Sequence, residues 1–102
     1  MNKIELIKNF VKGGTNLKGS NLYTITNEKI GITELINYST TIAVYYHNTN
    51  CVLLNSTKYS VTTSKNQNYI RRYSDNIVEL PYDKFMHFLE DYIKFANKVE
   101  NI

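Results

Sequence analysis

The strongest constraint on this chain lies at its centre. "TTIAVYYHNTNCVLLN", residues 40–55, reads as two strands joined by a short polar loop. Strand side chains alternate between faces, so Ile42, Val44 and Tyr46 are expected on one side and Ala43, Tyr45 and His47 on the other. Across the loop, Val52 and Leu54 alternate with Cys51 and Leu53. Neither face is polar. Such a hairpin has to be covered on both sides, or by a helix on one side and tyrosines on the other.

The flanking sequence supplies the cover. Near the N-terminus, "NKIELIKNFVKGG" places Ile4, Ile7, Phe10 and Val11 on one helical face with Leu6 beside them. Asn2 and Glu5 stand as a capping-box-like pair, and Gly13 and Gly14 end the turn run. At the other end, Pro81 suits the first helical position and Asp83 the positive first turn. From there Phe85, Phe88, Leu89, Tyr92, Ile93, Ala96 and Val99 keep helical spacing through the longest predicted helix. Between these ends, "LYTIT" alternates as a strand, "NEKIGI" turns, and "TELINYS" leans to strand. "STKYSVTT" reads as a turn and short strand. Ser64 is expected to cap a short helix whose inward stripe is Tyr69, Ile70 and Tyr73, and "NIVEL" closes the strand set. The expected fold is α+β: one domain over residues 1–102, a small antiparallel sheet with a central hairpin, an N-terminal helix, a short helix after residue 64 and a long C-terminal helix.

Length and composition agree with one such core. At 102 residues with 42% hydrophobic side chains, the chain needs no metal or disulfide to fold. Cys51 is the single cysteine, which excludes an internal disulfide framework and fits a reducing compartment. No apolar run approaches the ~20 residues of a membrane span, and no secretory signal is expected at the N-terminus. A cytoplasmic setting is expected. Abundant Asn, Ile, Lys and Tyr are what an AT-rich coding sequence favours, so part of the polar surface reflects composition alone.

Charge is more informative in its distribution than in its total of +3. Residues 35–74 contain no acid and carry Lys58, Lys65, Arg71 and Arg72, whereas residues 75–102 carry six acids against three lysines. Either the two regions face each other in the fold, or the middle meets an anionic partner.

The segment "KYSVTTSKNQNYIRR", residues 58–72, holds the candidate contact surface. Thr62, Thr63 and Ser64 would lie at the start of the short helix, where free backbone N–H groups and the helix dipole favour an anion. Lys65, Gln67, Arg71 and Arg72 would follow along its exposed strip, residue types suited to successive phosphates. The competing reading is plain: a hydroxyl cluster that caps a helix, and charges that are solvated. Tyr45, Tyr46, Tyr59, Tyr69 and Tyr73 surround this region, as half-buried ring edges or as stacking and interface residues.

Catalytic signals are weak. His47 and His87 are the only histidines, with no spacing that pairs them. No Cys, His and carboxylate cluster suggests a metal, no glycine-rich loop suggests a nucleotide, and Cys51 reads as a small hydrophobe. No catalytic residue, cofactor or metal is expected.

Residues 40–72 resemble a family of small bacteriophage and prophage proteins of uncharacterised function. The matching positions are Ile42, Ala43, Tyr59, Ser60, Val61, Thr62, Thr63, Ser64, Lys65 and Gln67, with Arg71 and Arg72 beyond; Asn66 stands where that pattern has histidine. The resemblance implies a mobile-element origin and no particular activity. Small phage proteins of this kind are often accessory factors that bind host machinery, CRISPR-type defence complexes included. The expected partners are therefore a host protein or ribonucleoprotein complex, or nucleic acid directly. The alternative is a protein-interaction module or inhibitor acting through tyrosines and the C-terminal helix, or a homo-oligomer without nucleic-acid contact.

Overall fold

A computed structural model describes residues 1–100 of the chain, with side chains described through Lys98; the predicted stripe residue Val99 therefore lies outside the described side chains. The elements run α1 (Lys3–Phe10), β1 (Leu22–Asn27), β2 (Ile32–Asn37), β3 (Thr40–Tyr46), β4 (Cys51–Asn55), α2 (Val61–Tyr73), β5 (Ile77–Leu80) and α3 (Tyr82–Glu100). The strands form one sheet in the order β1-β2-β3-β4-β5. All neighbours are antiparallel except β4 and β5, which run parallel. Parallel neighbours need a crossover, and α2 supplies it.

The sheet is covered on both faces. Leu6, Ile7 and Phe10 of α1 and Ile70 of α2 pack with Leu22, Leu35, Ile42, Tyr45, Val52 and Leu54, while Tyr69 and Tyr73 lie half-buried against the same cluster. On the other face, Phe85 and Leu89 of α3 pack with Ile32, Val44, Tyr46 and Leu53. Met86, Tyr92, Ile93 and Ala96 flank this second core. Each large side chain so buried is worth roughly 1.5–3 kcal/mol, which is why the two-faced hairpin needs helices above and below.

Asn2 caps α1 by accepting from the Glu5 amide at 2.9 Å, and its carboxamide donates to the Glu5 carboxylate at 3.1 Å. Beyond the helix the chain doubles back through Gly13, at φ +90°, and Gly14. A Cβ at residue 14 would lie 2.8 Å from the Asn9 carbonyl oxygen, so the close return requires glycine there.

Three local expectations are revised. Ile42 does not share a face with Val44 and Tyr46. The β2–β3 register shifts between Leu35, opposite Ala43, and Ile36, opposite Thr41, leaving Ile42 as the extra residue of a bulge. The bulge turns Ile42 into the α1/α2 core beside Ala43 and Tyr45. Second, residues 58–60 form no strand: α2 begins at Val61 and its cap is Ser60, whose hydroxyl accepts from the Thr63 amide at 3.1 Å. Ser64 thus lies within the helix, which starts one turn earlier than expected. Third, Phe88 sits at the margin of the α3 stripe, 50% exposed, and Met86 packs in its place.

Candidate functional site

Because the helix starts at Val61, the polar residues of the 58–72 segment separate into two sets. Thr63 and Gln67, one turn apart, face the sheet, as does Asn66. They are only 5% and 2% exposed for Thr63 and Gln67 respectively. Thr63 Oγ1 donates to Asn37 Oδ1 at 2.8 Å, and Asn66 Nδ2 reaches the same oxygen at 3.4 Å. Asn37 in turn donates to the Asn21 carbonyl at 2.8 Å. Gln67 Nε2 donates to the Asn55 and Thr57 carbonyls at 2.7 and 2.9 Å. Asn55 donates to the Tyr59 hydroxyl at 2.9 Å and accepts from the Thr57 amide at 3.1 Å.

This buried network fixes α2 over the ends of β2 and β4. It corrects the placement of Thr63 and Gln67 on an outward contact strip, since both side chains are buried and spent on backbone and amide partners within the fold. The Thr63 amide is likewise committed to Ser60, so the proposed hydroxyl cradle at Thr62–Ser64 reduces to an ordinary cap with Thr62 and Ser64 half-exposed.

The cations fare differently. Lys65 and Arg72 are exposed and make no ion pair among the described residues. Arg71 is half-exposed; its Nε donates to Glu79 of β5 at 2.9 Å and its Nη1 to Asn68 at 2.7 Å. Arg71 is therefore a tie between α2 and β5 more than a free contact.

Three further cations join them. α1 packs against α2, bringing Lys3, Lys8 and Lys12 into the same layer. A shallow groove between the two helices is lined by Asn2, Lys3, Ile4, Glu5, Lys8 and Tyr69. Lys8 Nζ lies 4.9 Å from the centroid of the Tyr73 ring, a cation–π contact that ties α1 to the last turn of α2. Glu5 is the one acid in the sequences of α1 and α2. No role was assigned to these α1 lysines from the sequence. The signal that could have paired them with α2 is the matching apolar stripe of the two helices.

The histidines do not meet. His47 Nε2 is 2.7 Å from Thr33 Oγ1, which in turn lies 2.9 Å from Thr26 Oγ1, and the ring stands edge-on to Tyr45. His87 is exposed on α3 and contacts Asp91 at 3.3 Å. Cys51 is half-buried in β4.

No protein-family model matches the chain, and neither a curated protein nor a solved structure is significantly similar to it.

Proposed function

We propose that the chain is a non-enzymatic accessory protein of the phage type that binds nucleic acid, or a nucleic-acid-handling complex, through the layer formed by α1 and α2. The observation that supports this reading is the packing of α1 beside α2. It brings Lys3, Lys8 and Lys12 into the layer that holds Lys65 and Arg72, all exposed, with Glu5 the one acid of the two helices and Glu79 of β5 paired with Arg71 at their margin. A helix pair with clustered cations is the electrostatic footprint that phosphate backbones require. Tyr69, half-buried in the groove, offers an aromatic edge beside them.

Fluorescence anisotropy with single-stranded and duplex DNA and RNA, over a salt series, tests this. Joint substitution Lys65→Glu and Arg72→Glu is expected to weaken binding at least ~10-fold, because two phosphate contacts become repulsions. The control pair Lys94→Glu and Lys98→Glu, on α3, should leave binding near the parent value. Absent or salt-insensitive binding, or equal loss in both pairs, rejects the reading. A second reading, protein contact through α3, is favoured by Phe95, which is 67% exposed on that helix. Light scattering on the same samples separates it, since a strict monomer that keeps salt-dependent binding supports the first.

A further inference from the structure

On the opposite face of the sheet, α3 and the β4–β5 edge enclose a pocket of about 350 Å³. Its walls are Tyr46, Leu53, Val78, Leu80, Phe88 and Tyr92, with Asn48 and Thr49 of the β3–β4 turn at the rim, and no charged side chain among the described residues lines it. The volume falls within the range of small-molecule sites, roughly 300–1,000 Å³.

A second observation says what the pocket lacks. Tyr46 is only 6% exposed, and its hydroxyl has no hydrogen-bond partner among the described residues. The neighbouring tyrosine of the wall is satisfied, since the Tyr92 hydroxyl donates to the Ile30 carbonyl at 3.2 Å and accepts from Asn48 at 3.4 Å. A buried hydroxyl without a partner is costly, and an apolar wall offers it none. Burial first, then the nearby Tyr92, Cys51 and Glu34, pushes the Tyr46 phenol up, so it stays a neutral donor. With no cation among the described lining residues, an anionic head group is disfavoured.

We infer that this pocket binds a small neutral ligand with an aromatic or aliphatic body and one carbonyl or ether oxygen, which accepts a hydrogen bond from Tyr46 Oη. Phe88 stands edge-on to the Tyr46 ring, with centroids 6.0 Å apart, and is half-exposed. In this proposal the oxygen reaches the shielded hydroxyl by displacing Phe88 from the pocket wall.

The test uses the neutral fluorophore N-phenyl-1-naphthylamine as reporter, displaced by acetophenone or by ethylbenzene, near-isosteres that differ in one carbonyl. Saturable reporter binding is expected, and Val78→Trp, at a half-exposed edge position, should abolish it. Tyr46→Phe removes only the orphan hydroxyl; it should weaken acetophenone roughly 3- to 10-fold, the worth of one hydrogen bond, and leave ethylbenzene unchanged. Non-saturable binding, indifference to Val78→Trp, or equal effects of Tyr46→Phe on both competitors overturns the inference. So does reporter loss that tracks dimer formation in light scattering, which would give the pocket to a second copy of the chain.

Discussion

A carboxamide under a helix is tolerated only where each of its hydrogens ends on an acceptor, and Gln67 meets that condition with the Asn55 and Thr57 carbonyls. Gln67→Leu would leave both carbonyls short of a donor in a dry site. A loss of about 2–3 kcal/mol in urea unfolding is expected, whereas Lys65→Ala, at an exposed position of the same helix, should stay within about 0.5 kcal/mol. Glu34 makes the opposite kind of contribution. Burial pushes its carboxyl up, a shift only partly opposed by the hydrogen bond from Thr41 at 3.4 Å. A carboxyl raised in the folded state favours folding while it is protonated, and that contribution fades as pH rises through the folded value. Glu34→Gln should therefore raise the melting temperature at pH 7 relative to the parent and lose that advantage near pH 4, read by thermal scans at both. Residue identity alone could not separate Thr63 and Gln67 from Lys65 and Arg72. All four are polar, and only their position relative to the sheet divides structural from free.

Element boundaries were legible where periodicity was long. α1, the β3–β4 hairpin and α3 follow from their apolar spacing, and the Asn2 and Glu5 pair follows from its type. Two local choices were not. Ser60 and Ser64 are both good caps one turn apart, and the Tyr59-Ser60-Val61 run has strand-like composition; what decides is the buried network beneath Thr63, which requires the helix to have begun already. Ser60→Ala should then cost about 1 kcal/mol of stability, while Ser64→Ala, inside the helix, should cost under about 0.5 kcal/mol by the same urea measurement. The bulge at Ile42 was equally hidden, because strict alternation contains no sign of an inserted residue. Its effect is to turn two successive residues of β3, Ile42 and Ala43, toward α1 and α2, after which alternation resumes with Val44 on the α3 side and Tyr45 back on the α1/α2 side.

Charge is arranged by layer across the whole molecule. Residues 61–73 hold Lys65, Arg71 and Arg72 and no acid, and residues 1–13 hold three lysines against Glu5. The region from β5 through α3 is where the acids concentrate, with Asp83, Glu90 and Asp91 on α3, while Glu79 of β5 reaches across to Arg71 of α2. The forty-residue acid-free stretch in the sequence was thus the visible half of the pattern; the other half, the α1 lysines, is brought in by packing. If four or five of these cations meet phosphates, log K should fall with log[salt] at a slope of about −4 on duplex and about −3 on single strands. The five-stranded sheet has a further consequence. Because it lies as a septum between two separate hydrophobic clusters, a polymer laid along the helical pair on one side and a guest lodged beneath α3 on the other would never touch. Were both proposals to hold, the same molecule would carry both loads at once, each with its own doorway.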